Sequence, residues 1–433
     1  MRPFSGVRVT LWPVLQNADF RIIWYVGSVG EFGRRMEMLV LSWLILQLTD
    51  SYFQLGLVLA FNNLSRPMVS MFTGYIADRF PRGRVLIVGQ ALNVLIAATL
   101  LAVIAYDIGL IKPWHVFLAV FLQGLTKAIE DPSRRTAIFD IVGQSRLVNA
   151  LSLDVISHNI GKMAGPIVGG VLLGAAGFTE AYAFLLVVHV SNLALMTKLR
   201  IPNYQGPAQI EPVVRSLKVA VGYAWRSPVL LGLFYITIVM NALAFPVQQF
   251  IPAIGRDHLG VGITLVGLLV AADGFGQLAG AGIMAISRDL RYHGRVFVLG
   301  STGVLLIGII FVWSPWYALT FGLLIFSGIA QSGFSTMQSA VTMLATPHDM
   351  RGRMMGLLSV CIGVGTPLGA LEMGAVASAV SIQWAISLNA FAGMALLLPA
   401  IVISPLLWKP LTQAESEPEA DPKAAPEPAP GPI

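Results

Sequence analysis

Long apolar segments alternate with short polar connections along almost the whole chain. A helix that crosses the apolar core of a bilayer, roughly 30 Å thick, needs about 20 residues, and segments of that length recur throughout the sequence. The pattern therefore predicts an all-α polytopic membrane protein. Twelve transmembrane helices are expected, over residues 20–47, 53–77, 85–106, 113–129, 147–175, 182–198, 229–254, 262–286, 296–313, 316–338, 354–378 and 381–407.

Basic residues are distributed unequally between the two sets of connections. Arginine and lysine follow the even-numbered segments, as in 78–84, 131–146 and 198–226, whereas the opposite connections hold only Lys112 and Arg256. Connections rich in arginine and lysine stay in the cytoplasm. The distribution therefore predicts that both termini are cytoplasmic.

The longest internal connection divides the predicted helices into six and six. We expect an N-terminal six-helix bundle over 1–198, a linker over 199–228, and a C-terminal six-helix bundle over 229–408. The segment 409–433 is rich in proline, alanine and acidic residues, which predicts a disordered cytoplasmic tail.

The linker contains apolar residues at helical spacing. Val214, Leu217, Val221 and Trp225 recur every three or four residues beside basic ones. This spacing predicts either an amphipathic helix in the membrane interface or an ordinary surface helix packed on a bundle.

A charged connection and a Gly/Pro motif recur at corresponding positions in the two halves of the sequence. The connection 78–84 after span 2 is matched by 289–295 after span 8, and Gly165-Pro166 in span 5 is matched by 365–367 in span 11. Repeated halves with Gly/Pro-rich helices in matching positions are typical of secondary transporters, which bind their cargo between the repeats. The pattern predicts pseudo-symmetric bundles.

Composition excludes several classes of protein. Only 12% of the residues are charged and 56% are hydrophobic, against about 25% charged in a soluble domain. The single cysteine, Cys361, excludes an intramolecular disulfide and a cysteine cluster for a metal. The formal charge of +6 follows the membrane topology, so no nucleic-acid partner is expected. No nucleotide-binding loop, zinc motif or nucleophile elbow is present, which predicts neither a cofactor nor an enzyme.

Span 1 contains four charged residues. A charge at the bilayer centre costs about 2.5–3.5 kcal/mol even on permissive scales, so Glu31, Arg34, Arg35 and Glu37 need compensation. Glu31 and Arg35 are four residues apart on one helix face and can pair. Either the charges neutralise one another, or Arg34 and Arg35 attract an anionic substrate.

Span 5 contains a row of ionisable residues at intervals of four. Asp154, His158 and Lys162 therefore share one stripe of the helix. Because histidine titrates near neutral pH, this row is our preferred proton pathway. The alternative is a polar stripe that satisfies its own hydrogen bonds.

Further ionisable residues lie within the predicted spans. Arg66 and Asp273 lie near mid-membrane, one in each half, and either pair across the bundles or face the cavity separately. Asp273, among small residues, is a candidate coupling carboxylate. Lys127 is expected to extend toward the membrane interface, and we interpret His189 as structural.

Several motifs resemble those of one transporter superfamily. The segment Gly74-Tyr-Ile-Ala-Asp78-Arg79-Phe-Pro-Arg82-Gly-Arg84 resembles the signature loop of the major facilitator superfamily. Gly161-x-x-x-Gly165-Pro166-x-x-Gly169-Gly170 resembles the motif typical of its antiporters and exporters. The likeness continues at residues 17–21, 131–134 and 351–353, and it is closest to the branch of enterobactin exporters and macrolide-efflux-type proteins.

The resemblance implies a major facilitator fold with two mechanical parts. At the cytoplasmic end, a charged latch between the halves would involve Gly74, Asp78, Arg79, Arg82, Asp131 and Arg353. In span 5, small side chains permit close approach of another backbone and the proline can kink the helix. The alternatives there are a hinge or static packing of Gly161, Gly165, Pro166, Gly169 and Gly170.

The expected function is secondary active transport by alternating access, most simply export of small amphipathic organic molecules of the drug or siderophore type, with protons as the candidate coupling ion. Arg34 stands where the branch commonly has an acid, Pro81 replaces a loop glycine, and span 4 lacks the arginine of the drug–proton motif. These departures leave the transporter class unchanged but count against the drug–proton mechanism.

Two other classes of function stay open. One is a proton-coupled importer of a small metabolite, and the more distant one is a lipid-modifying membrane enzyme or a non-transporting sensor. The expected partners are the lipid bilayer and a small-molecule substrate, with the protein a monomer in the bacterial inner membrane.

Overall fold

The computed structural model describes residues 12–79, 81–143, 146–199, 213–286 and 292–404. All regular secondary structure in these ranges is helical. The α-helices are α1 Trp12–Leu15, α2 Ala18–Thr49, α3 Tyr52–Arg79, α4 Arg82–Tyr106, α5 Pro113–Val142, α6 Leu147–Ala175, α7 Phe178–Met196, α8 Val213–Arg226, α9 Pro228–Val239, α10 Val247–Ala253, α11 Ile263–Ile286, α12 His293–Val312, α13 Tyr317–Leu344, α14 Arg351–Ala379 and α15 Ile382–Ile403.

Eight helical segments of the described chain are long and apolar enough to cross a membrane. They are α4, α7, the continuous segment Pro228–His258 that contains α9 and α10, and the segments built on α11 to α15. Helices α2, α3, α5 and α6 have comparable lengths. The number of transmembrane helices in the whole chain stays a prediction.

Two predicted segments differ from the helices that contain them. The prediction ended span 4 at residue 129, but α5 continues through Pro132 to Val142. The prediction followed the hydrophobic run, which stops where apolar residues become fewer. The helix itself continues until Gly143, which has a positive φ of 72°.

The predicted span 7 is a helix with two π-helical turns rather than one regular helix. The turns are Met240–Ala244 and Ile254–His258, on either side of α10. Pro246 lies two residues after the first turn, and a proline cannot donate the usual backbone hydrogen bond. The backbone of this first turn contacts α14, where an added Cβ at Gly365 would lie 3.6 Å from Ala242 N.

The described chain has an amino-terminal half, residues 12–199, and a carboxy-terminal half, residues 213–404. The halves contact each other mainly through α3 with α14 and α6 with α11, and also through α2 and α3 with α10. One hydrophobic core crosses this boundary and includes Met36, Leu44, Ile251 and Leu269.

Described residues of the two halves hydrogen-bond to each other at the end where α2 passes into α3 and α10 passes into α11. We call it the arginine-poor end, because it holds Arg256 and few other basic residues. Arg256 donates to Leu46 O at 2.7 Å and to Asp50 Oδ1 at 2.5 Å. Phe53 N donates to Ser378 Oγ at 2.9 Å. Both contacts connect one half with the other.

The linker helix α8 packs on α9 and α14. Ala220 and Ala224 are buried there, and Leu217 packs against the same core. Val221 and Trp225 are exposed, Trp225 to 74%. The apolar stripe predicted for this helix is therefore divided between a face that packs on the protein and a face directed away from it.

Candidate transport site

Glu31 on α2 is buried beneath basic side chains. On its own helix, Arg34 Nη2 lies 2.6 Å from Oε2 and Arg35 Nε lies 2.7 Å from Oε1. From neighbouring helices, Lys127 Nζ lies 3.7 Å from Oε2 and His158 Nδ1 lies 3.5 Å from Oε1. The pairing of Glu31 with Arg35 that the sequence suggested is present.

The accessible part of this cluster is basic. The Glu31 side chain is 2% exposed, whereas that of Arg35 is 32% exposed and that of His158 is 47% exposed. A buried carboxylate thus holds the guanidinium groups of Arg34 and Arg35 in place while Arg35 remains partly exposed. The cluster can bind an anionic group without losing its own counterion.

The ionisable row on α6 connects three different helices. Asp154 accepts hydrogen bonds from both terminal nitrogens of Arg134 on α5, with Nη2–Oδ2 at 3.2 Å. His158 faces Glu31 on α2, and Lys162 Nζ lies 2.9 Å from Asp273 Oδ2 on α11. The shared stripe is present in the structure. Whether protons travel along it stays a prediction.

Asp273 is the centre of a buried polar network. Besides Lys162, it accepts from Gln248 Nε2 at 3.3 Å and from Gln277 Nε2 at 2.8 Å. Gln331 Oε1 accepts from Gln248 Nε2 at 2.5 Å and also from Gln277. Donors from α6, α10 and α11 therefore converge on one carboxylate, and Lys162 is the donor that comes from the other half.

A cavity of about 540 Å³, including space open to solvent, lies between the halves beside this network. The amino-terminal half contributes Arg35, Met38 and Lys162 to its wall, and the carboxy-terminal half contributes Gln248 and Asp273. A few placed polar groups in a partly apolar wall are typical of small-molecule sites.

Glu37 lies on another side of α2 from the residues that line this cavity. Its side chain is buried, and its Oε2 lies 3.6 Å from His189 Nε2 on α7. The sequence placed Glu37 with Glu31 as one group. The structure separates them, because a helix turns by about 100° per residue and these positions are six residues apart.

The glycines of span 5 face two neighbours. An added Cβ at Gly161 would lie 2.9 Å from Phe32 N, at Gly165 2.6 Å from Phe32 O, and at Gly169 2.9 Å from Met36 Cγ, all on α2. At Gly170 it would lie 2.7 Å from Ile263 O on the other half. Helix α6 continues through Pro166. The close approach is therefore present, and a hinge motion stays a prediction.

Four of the six residues assigned to the latch, Gly74, Asp78, Arg79 and Arg82, have surroundings that lie outside the described part of the structure. The same holds for the side chain of Arg66, which the sequence assigned to the substrate or proton pathway. Asp131 lies close enough to Arg34 and Lys127 to interact electrostatically with both. Arg353 donates to Met350 Sδ at 3.3 Å. The latch itself stays a prediction.

One family model matches the chain over nearly its whole length. The model of the family described as transmembrane secretion effector matches residues 9–429. The chain belongs to that family, within the major facilitator superfamily. The resemblance inferred from the sequence motifs is thereby confirmed, and this secretion effector family member is a multi-pass membrane transporter rather than an enzyme.

This transporter is similar to two enterobactin exporters. It is 26% identical over 335 residues to the enterobactin exporter EntS of Shigella flexneri, a match that covers 76% of this chain and 78% of that protein. It is 24% identical over 336 residues to the enterobactin exporter EntS of Salmonella typhimurium, with the same coverage.

Solved structures share the fold. A nucleoside transporter NupG variant aligns with a TM-score of 0.74 at 11% identity, over 89% of this chain and 99% of that one. A bacterial homologue of the human lysosomal transporter Spinster, inward-facing and unoccupied, aligns with a TM-score of 0.65 at 14% identity, over 90% and 95%. At these identities the likeness shows the fold alone.

Some functional groups of this transporter were not found from the sequence. The expectation that Lys127 extends toward the membrane interface is wrong, because it turns inward to Glu31 at 3.7 Å. Its partner is on another helix, so no local spacing reveals the contact. Gln277 carried a usable signal, since it is one helical turn from Asp273 and such pairs meet on a helix face.

Proposed function

We propose that this family member is a proton-driven exporter of small amphipathic organic molecules with anionic groups, of the drug or siderophore type. It acts by alternating access between two six-helix bundles, with twelve transmembrane helices and both termini in the cytoplasm of a bacterial inner membrane. The observation that carries the proposal is the ion pair between Lys162 and Asp273, which joins the halves beside the cavity between them.

The contacts between the halves support alternating access. Arg256 with Asp50 and Phe53 with Ser378 hold the halves together at the arginine-poor end. The opposite, arginine-rich connections are cytoplasmic under the positive-inside rule. In this orientation these contacts close the transporter toward the outside.

The chemistry of the site supports an amphipathic substrate with negative charge. Arg35 and Lys162 lie in the wall of the cavity together with apolar side chains such as Met38. Arginine and lysine bind carboxylate and other oxyanions through charge-assisted hydrogen bonds. The two enterobactin exporters to which the chain is similar support this class of cargo.

The ion pair offers a route for coupling. Protonation of Asp273 removes its negative charge, so that Lys162 loses its ionic partner and the contact between α6 and α11 weakens. A buried charge without a partner is unfavourable. The halves then become free to separate on that side, and release of the proton restores the ion pair.

Export is tested in a bacterial strain that lacks its own efflux pumps. Cells that express the wild-type chain should accumulate less of an amphipathic anion than cells with an empty vector. Everted vesicles should take up the same compound only when a pH gradient is imposed. Uptake into cells instead of efflux would indicate an importer. If a pH gradient drove the movement of none of the amphipathic anions tested, the proposal would be contradicted.

The variant Asp273→Asn tests the ion pair in the same vesicles. It should lose gradient-driven uptake. The matched control is Glu372→Gln, which removes an acidic group that accepts from Asn389 at 2.7 Å on another helix. Gradient-driven transport at the wild-type level in Asp273→Asn would contradict the coupling role.

A further inference from the structure

A second buried polar group lies between α2 and α7. It contains Glu37 on α2 and Tyr182, His189 and Asn192 on α7, and each of these residues is at most 3% exposed. His189 Nε2 lies 3.6 Å from Glu37 Oε2. The Tyr182 hydroxyl lies beside Glu37 without favourable hydrogen-bond geometry.

This group has unused hydrogen-bonding capacity. His189 Nδ1 and both side-chain polar atoms of Asn192 have no hydrogen-bond partner among the described residues. Most buried polar atoms in proteins are paired, and an exception calls for a physical explanation such as bound water. Buried water in proteins typically makes two to four hydrogen bonds to polar atoms that lack another partner.

The charge at the group depends on one proton. With Glu37 ionised and His189 neutral, the site carries a buried negative charge, which is unfavourable in a low dielectric. One added proton removes this cost, whether it resides on the carboxylate or on the imidazole. Among the described residues of α4 and α6, which also pack on α7, no titratable group forms an ion pair or hydrogen bond with Glu37 or His189.

A glycine forms the contact between this group and the basic cluster at Glu31. An added Cβ at Gly30 would lie 3.5 Å from Asn192 Nδ2 and 3.7 Å from Arg34 Nη1. Because Gly30 has no side chain, the space that a Cβ would fill is bordered by both Asn192 and the Arg34 guanidinium. Arg34 pairs with Glu31, next to the partly exposed Arg35 and His158.

We propose that Glu37, Tyr182, His189 and Asn192 form a hydrated site that takes up and releases one proton in each transport cycle. The proton arrives on water from the basic cluster, passes Gly30 and Asn192, and binds to the pair of Glu37 and His189. Release reverses these steps, so one proton enters and one leaves. The proposal rests on the proposed proton-driven transport and assigns a proton site distinct from Asp273.

Infrared difference spectroscopy on the purified full-length protein in lipid nanodiscs tests the site directly. A step in pH should produce a carboxyl band that is lost in Glu37→Gln and kept in Glu372→Gln. The His189→Gln variant, which keeps a polar side chain, should shift the band. A wild-type spectrum that persists in Glu37→Gln would overturn the proposal.

The route past Gly30 is tested by exchange in heavy water. Gly30→Val should slow the deuterium shift of the Glu37 band, whereas Gly322→Val, at a helix glycine with nothing within 4 Å of an added Cβ, should leave it unchanged. Equal exchange rates in the two variants would overturn the route.

Transport separates this proposal from the broader one. Glu37→Gln should lose accumulation driven by a pH gradient but keep exchange of labelled for unlabelled substrate. If it keeps gradient-driven accumulation, the site is not used in the cycle and the inference fails. If the wild type shows no such accumulation, the proposed proton drive fails while the infrared band still decides whether the site binds a proton.

Discussion

Lys162 on α6 and Asp273 on α11 form an ion pair of 2.9 Å between the two halves of the molecule. Both side chains are mostly buried, with exposures of 17% and 3%. A pair of this kind adds little net stability but is costly to break from one side. It is therefore suited to a contact that is made in one conformer and replaced in another.

The first prediction separates stability from coupling at this pair. Lys162→Met or Asp273→Asn alone should destabilise the protein by about 3 kcal/mol, because each leaves one buried charge unpaired. The double variant should regain most of that loss and still lack gradient-driven transport. Thermal unfolding in detergent and vesicle uptake measure the two properties. A double variant as unstable as the worse single variant would refute the pairing argument.

The second prediction concerns Glu31, the anion beneath the basic cluster. Glu31→Gln brings Arg34, Arg35 and Lys127 together without their shared counterion. Since the arginines are partly exposed, we expect a loss of about 2–3 kcal/mol, below the largest values for buried pairs. Chemical unfolding in micelles checks this.

Glu180→Gln is the matched control for this variant, because Glu180 is exposed in the first turn of α7. It should change the free energy of unfolding by at most about 1 kcal/mol, the usual size of a helix-terminus charge effect. Equal losses in the two variants would show that Glu31 does not stabilise the cluster.

The sequence reveals interactions within a helix better than those between helices. The pair of Glu31 and Arg35 could be predicted because its members are four residues apart. Lys162 and Asp273 are 111 residues apart, and no periodicity within either helix indicates that they meet. The positions of both charges could be predicted, but their partnership required the packing of α6 on α11.

The same limit explains the interpretation of His189. A single histidine in an apolar helix gives no sign of its surroundings. Only the packing of α7 on α2 places it 3.6 Å from Glu37. The course of most helices, in contrast, could be predicted, because apolar runs of about 20 residues have few alternatives in a membrane.

The third prediction concerns the contact of Phe53 with Ser378 at the arginine-poor end. In a Cys361→Ser background, the pair Phe53→Cys and Ser378→Cys should form a disulfide under mild oxidation, because the backbone nitrogen of residue 53 lies 2.9 Å from the side chain at residue 378. The bond should stop transport, since it holds this end closed, and a reductant should restore it.

Phe53→Cys alone, in the same background, is the control for the oxidation treatment. It should keep its transport rate with or without oxidant. If the cross-linked protein transports as fast as the same protein after treatment with a reductant, this end does not open during the cycle. Transport is scored in everted vesicles, and cross-linking is scored by labelling of free thiols.

The fourth prediction tests close backbone approach where α6 meets α11. An added Cβ at Gly267 would lie 3.2 Å from Gly170 Cα and within overlap distance of Pro166 O, so Gly267→Val should force the halves apart at this end. Gly282→Val on the same helix is the matched control, because nothing lies within 4 Å of its added Cβ. Both substitutions add the same side chain to one helix, so their intrinsic helix propensities cancel in the comparison.

The readout of this fourth prediction is the disulfide between positions 53 and 378. In the Gly267→Val background it should form much more slowly, because the closed conformer is disfavoured, whereas the Gly282→Val background should leave its rate unchanged. Transport should fall only in the first variant. If Gly267→Val formed the disulfide at the normal rate, the halves would be able to close without this backbone contact, and the glycines of α6 and α11 would then serve static packing at most.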